Sequence, residues 1–144
     1  DTVKFCTPEM LERFKKFQLV TQYIIDKEKE VEEYNKANNI DDSNLVNGRR
    51  QTNLGIFRAY LNAYIANCPY INKDMTFMVR QLAPTENGIP IQIYAFSSNK
   101  SWIPYENIQS DIFDHVFAVV TMFDLKIYQK PSSNSLASLP EILQ

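Results

Sequence analysis

From Thr52 onward the apolar residues run through a helical period, two alternating segments, a second helical period and a last alternating segment. Leu54, Phe57, Leu61, Tyr64, Ile65 and Cys68 share one helix face, opened at Thr52 or Asn53 and closed by Pro69. Met75 to Leu82 reads as a strand, Pro84 to Gly88 as a turn, and Ile89 to Phe96 as the antiparallel partner. A further helix is expected from Trp102 or Pro104 to Phe123, with Tyr105, Ile108, Ile112, Val116, Val119 and Phe123 as its buried stripe. A short strand from Leu125 to Gln129 closes the series before Pro131, and Thr2 to Cys6 offers another at the start. This order predicts an α+β domain, a ferredoxin-like split βαβ sandwich with two helices on one face of an antiparallel sheet. The other sheet face is open in such a fold. Ile89, Ile91, Ile93 and Ala95 point one way and Gln92, Tyr94 and Phe96 the other, so Tyr94, Phe96 and Met78 are candidates for a partner surface. Cover by the chain's own helical arm or loops is the alternative.

That arm precedes the alternating region. Thr7 can cap an orphan amide, Pro8 tolerates a first helical turn and Glu9 suits the positive end of the helix dipole. Met10, Phe14, Phe17, Thr21, Ile24 and Val31 then recur in one phase, predicting one long helix or two in series. The run from Asp26 to Tyr34 is mixed in charge, with Glu32 and Lys36 one turn apart, so this half is expected to be solvated and to project from the body. Asn38 to Asn44 is rich in turn formers and ends the helix. The expected organisation is residues 1–46 for a first strand and helical insertion, 47–131 for the α+β domain and 132–144 for a flexible tail.

With 144 residues the chain is long enough for a single core. Its charge excludes a class of partner: 15 Lys and Arg against 17 Asp and Glu leave no basic excess for a nucleic-acid backbone. Only three glycines occur, Gly48, Gly55 and Gly88, and their wide separation rules out a glycine-rich phosphate loop. The longest apolar stretch, Val116 to Phe123, falls far short of the roughly 18 residues of a membrane span. The first residue, Asp1, follows no initiator and opens no leader, which is the expectation for a piece of something longer.

No catalytic set is visible. Two cysteines and one histidine cannot supply the four ligands of a structural zinc site, and no metal or cofactor is expected. A reduced compartment is the simplest reading, with a Cys6 to Cys68 bridge left open. His115 lies at the edge of a buried stripe, where Asp111 one turn earlier is the nearest acid for a structural contact. Cys6 and Cys68 have no base at a recognisable spacing, and Glu32-Glu33 and Asp41-Asp42 read as surface charge. Arg49 and Arg50, placed just before a helix start, could hold an anion or pair with the acidic arm or another subunit.

Several strings resemble one family in order along the chain. Asn47 to Tyr60 (NGRRQTNLGIFRAY), Met75 to Thr85 (MTFMVRQLAPT), Ile93 to Phe96 (IYAF), Tyr105 to His115 (YENIQSDIFDH) and the opening Val3 to Leu11 (VKFCTPEML) resemble the C-terminal cytoplasmic region of small-conductance mechanosensitive channels, in their miniconductance branch. The resemblance spans about Val3 to Gln129 and implies a subunit of a ring-shaped, typically heptameric channel of the bacterial inner membrane, with its pore helices upstream. Such channels open under tension and release ions and small osmolytes on hypo-osmotic shock. This region would form part of a cage below the pore, without enzymatic activity. Cage domains of the family meet side by side, which makes Tyr94, Phe96, Leu125, Ile127 and Tyr128 expected contacts between subunits. The arm looks like a branch-specific insertion. A ligand-binding regulatory or scaffold module is the second reading, resting on the fold alone.

Overall fold

The computed structural model describes residues 2–98 and 102–130, and the expected tail at 132–144 lies outside them. Helix α1 (Pro8–Phe14) starts where the sequence places it: the Thr7 hydroxyl accepts from the Met10 amide at 3.3 Å. The arm is two helices in series. After α1 the chain breaks at Lys15 to Phe17, makes a 3-10 turn (Gln18–Val20) and continues as α2 (Thr21–Ala37). The break has a cause in side-chain chemistry, because the Thr21 hydroxyl donates to the Lys15 carbonyl at 2.6 Å and to the Phe17 carbonyl at 3.2 Å.

Helix α3 (Asn53–Ala66) opens on the Thr52 hydroxyl, which accepts from the Gly55 amide at 3.1 Å. Strands β1 (Met78–Gln81) and β2 (Ile91–Tyr94) pair antiparallel, with Met78 opposite Tyr94 and Gln81 opposite Ile91. Helix α4 (Trp102–Val119) passes into a 3-10 turn (Val120–Phe123) that ends on Asp124 in the left-handed region, φ 57°.

The core joins the arm to the rest of the chain. Met10, Phe14, Val20 and Ile24 of the arm pack with Leu54, Ile56, Phe57 and Leu61 of α3 and with Val120, Phe123 and Leu125. Phe123 is its aromatic centre, with ring centroids 5.5 Å from Phe14, 5.2 Å from Phe17 and 5.3 Å from both Phe57 and Tyr60. Buried among these is one polar side chain, Asn53. Its Nδ2 donates to the carbonyls of Thr2 at 2.8 Å and Phe123 at 3.1 Å, and its Oδ1 accepts from the amides of Lys4 and Leu54 at 3.0 Å.

The mixed α+β composition is present, but the sheet of the described residues has two strands where four were expected. Residues 2–6 give one bridge, Phe5 to Thr52, because the backbone there is held by Asn53 and by Cys6 donating to Gln51 at 2.9 Å. Residues 125–130 form no ladder either. Leu125 is fixed by burial directly after the left-handed Asp124, and residues 126–130 are exposed. The stripe of α4 is also shorter than expected, since Tyr105 is exposed and only the C-terminal end reaches full burial, at Val120 and Phe123. The run from Asp26 to Tyr34 is solvated, with no buried residue, and just beyond it the buried Asn35 meets the loop that returns along α2.

Candidate functional site

Three surfaces and one clasp gather the residues of interest. The hairpin is closed by Thr85 and Gly88, each amide bonding the other's carbonyl at 2.8 and 3.0 Å, with Gly88 at φ 114°. That turn sets the register, and the register puts Met78 and Tyr94 side by side on one face. Tyr94 and Phe96 meet edge to face at 5.4 Å, and all three side chains are exposed. Val79 and Ile91, on the opposite face, pack against the core.

The second surface was not singled out in the sequence. Phe113 and Phe117 of α4 stack at 5.9 Å and stand exposed with Met122. Their i,i+4 spacing was the available signal, masked by a second apolar stripe on the same helix. The third surface is the segment 125–130, which has no regular secondary structure. Leu125 is spent on the chain's own core, whereas Ile127 and Tyr128 are exposed.

The clasp ties α2 to the loop that follows it. Asn35 accepts from the Arg49 amide at 2.9 Å and donates to the Arg49 carbonyl at 3.2 Å, so one side chain brackets one residue of the loop. Gly48 makes the approach possible. It sits at φ 69°, and a Cβ there would overlap Asn35 Oδ1 and lie 2.7 Å from Ile40 Cγ2. Arg49 turns back onto α2, 2.9 Å from Glu30 and over the Tyr34 ring at 5.4 Å. The Lys27 ammonium and then the Arg49 guanidinium hold the Glu30 carboxyl below its usual range. Arg50 donates through Nη2 to the Asp42 carbonyl at 3.0 Å. The α3 N-terminus adds no anion site, because its first amides bond to Lys4, Asn53 and Thr52.

His115 does not use Asp111. Its Nε2 is 2.7 Å from the Tyr60 hydroxyl, and its ring stacks on Tyr64 at 4.0 Å, which pins α4 to α3. Both cysteines are free thiols. Asp41 is held below the usual carboxylate range by the Ser43 hydroxyl and amide, a loop contact. Glu32 pairs with Lys36 at 3.5 Å. Among the described residues no helix is long and apolar enough to cross a membrane, and no three His, Cys, Asp or Glu side chains gather as a metal site.

The family model described as the C-terminal region of the mechanosensitive ion channel MscS matches residues 51–127, more than half of the chain. That span runs from the residue before the α3 cap to Ile127 in the segment after Asp124. No solved structure matches the chain.

Proposed function

The chain belongs to the MscS mechanosensitive channel family as a C-terminal domain, and we propose that it serves as a wall of the cytoplasmic cage below a tension-gated pore. The observation that carries this reading is the continuous family match over residues 51–127. The parent channel would sit in a bacterial inner membrane and release ions and small osmolytes on hypo-osmotic shock. We assign it to the miniconductance branch on the strings quoted above, with residues 1–46 as a first strand and the branch's helical insertion and 47–131 as the cage domain.

A cage wall needs stiffness and edges that accept copies of itself. The aromatic core around Phe123 supports the first requirement. For the second, Tyr94 and Phe96 offer one exposed face, and Ile127 and Tyr128 lie on a segment whose backbone carries no ladder. In the ring, typically heptameric in this family, residues 2–6 and 125–130 would add strands and complete the ferredoxin-like sheet. Phe113 and Phe117 extend the contact surface along α4. The role is structural, without catalysis.

The test is survival of hypo-osmotic shock in bacteria stripped of their own mechanosensitive channels and supplied with the protein that carries this domain. Survival is expected to rise, and to fall again with Tyr94→Asp or Ile127→Asp together with loss of the oligomer on native gels. An inserted, assembled protein that gives no protection would contradict the proposal.

A further inference from the structure

Tyr23, Lys27 and Val31 recur every fourth residue and so share one face of α2. That face, the loop residues Arg49 and Arg50, and the start of α3 at Thr52 border a cleft of about 150 Å³. Sites for drug-sized ligands run to roughly 300–1,000 Å³, so an occupant here is small. The lining holds three cations and no carboxylate.

Two of those cations share one partner. Lys27 Nζ lies 3.0 Å from Glu30 Oε2 and Arg49 Nη1 lies 2.9 Å from Glu30 Oε1, so a single carboxylate serves both. Arg50 forms no ion pair among the described residues. Its Nη2 donates to the Asp42 carbonyl at 3.0 Å, a neutral acceptor that holds the guanidinium without discharging it. Three cations against one carboxylate leave two positive charges in excess at the cleft. The acidic arm therefore answers only part of the Arg49-Arg50 pair, and a concave site lined by one sign of charge concentrates the opposite ion.

The donors narrow the anion. Guanidinium forks match the oxygens of phosphate, and lysine adds a point charge. The Thr52 hydroxyl accepts from the Gly55 amide at 3.1 Å and donates to nothing among the described residues, which leaves its proton for a ligand. The first amides of α3 are already bonded, so side chains do the holding. A monocarboxylate neutralises one of the two surplus charges, whereas a phosphate group carries about −1.5 to −2 at pH 7 and neutralises both. We propose that this cleft binds a phosphate group, as the free ion or as the head of a small phosphomonoester. The site adds a ligand to the domain and does not rest on the channel reading.

Calorimetric titration of the full chain at fixed ionic strength, with inorganic phosphate, glycerol 3-phosphate and acetate as probes, tests the proposal. Saturable phosphate binding is expected, with Kd on the order of 1 mM, and acetate should bind at least about tenfold more weakly. Response to the ion alone marks a site for free phosphate, and response to the ester, with or without the ion, marks a site that takes phosphomonoesters. Lys27→Gln and Arg50→Gln should each weaken binding by about tenfold or more. Lys36→Gln, at an exposed position outside this cleft, should leave it unchanged. Should Arg50→Gln fail to fold, Lys27→Gln, at a partly exposed position of α2, decides alone. No saturable response to either phosphate compound overturns the proposal. So does acetate bound as tightly as phosphate, or an equal loss in Lys27→Gln and Lys36→Gln.

Discussion

Asn53→Ala removes the polar centre of the core, and its cost follows from the backbone groups it leaves, the Asp124 carbonyl at 3.4 Å being the longest of its contacts. The Leu54 amide and the Phe123 carbonyl are in buried bonds, whereas Lys4 and Thr2 are part-buried and water can replace the lost partner there. Each buried group left unpaired costs roughly 1–3 kcal/mol, so two of them set an expected loss of about 3–4 kcal/mol. With a urea dependence of about 2 kcal/mol/M for a domain of this size, the unfolding midpoint should fall by about 2 M. Equilibrium unfolding followed by circular dichroism reads it directly. Asn62→Ala, exposed on the same helix, is the control and should stay within about 0.5 kcal/mol of the parent. Asn53→Asp separates the two halves of the network. It can still accept from Lys4 and Leu54 but offers no N–H to the Thr2 and Phe123 carbonyls, so it should be no more stable than the alanine variant. A loss below about 1 kcal/mol for Asn53→Ala, or a wild-type midpoint for Asn53→Asp, would refute the assignment of Asn53 as the hub.

Gly48→Ala should destabilise by about 1–3 kcal/mol, because it combines a positive φ with a clash against Asn35, and hydrogen exchange should show loop 39–51 opening from α2. Unchanged exchange in that loop would remove the clasp from the account. Phe123→Ala should cost about 3–5 kcal/mol by thermal or urea unfolding, with Phe123→Leu losing clearly less, since four rings surround this side chain. Equal losses would mean that ring packing is not what Phe123 contributes. Burial, with Asp124 second, pushes the Cys6 thiol from 9.0 up to about 11. Its stability contribution is therefore full below pH 9.0 and lost as pH rises toward 11, and Cys6→Ala should flatten this alkaline decline. Iodoacetamide should label Cys68 first in the native chain, and equal rates at the two thiols would contradict the burial argument.

Helices were legible in the sequence because their signals are local. Thr7 and Thr52 cap α1 and α3 as their spacing requires, and the 3.6-residue period of the arm survives into α2. The break between α1 and α2 was not resolved, since it depends on the Thr21 hydroxyl reaching two earlier carbonyls while Thr21 also keeps the apolar phase. Sheet membership was less legible. Alternation marks a half-buried extended segment, and Leu125 satisfies it by entering the core alone rather than by joining a ladder. Residues 2–6 are extended for a different reason, the Asn53 network, which no pattern within those residues encodes.

The candidate surfaces divide in the same way. Exposure of Tyr94 and Phe96 followed from strand parity, and the turn at Thr85 and Gly88 protects that parity by fixing the register. Phe113 and Phe117 were missed because α4 carries more apolar residues than its short contact with the core can bury. Asn35 and Gly48 were missed as partners because they are 13 positions apart, by their numbers, and belong to segments that read separately as solvated helix and loop. Their contact ties the loop to α2, so the clasp was not visible in the sequence.

The most direct test of the central claim is patch recording under graded suction on membranes that contain the protein carrying this domain, beside the same protein with Tyr94→Asp and Ile127→Asp. Channel openings that appear with tension, and that are lost or shifted in threshold by the paired substitution at unchanged membrane expression, are the result expected of a cage domain in a tension-gated channel. An assembled protein that stays silent up to the tension that ruptures the patch would contradict it.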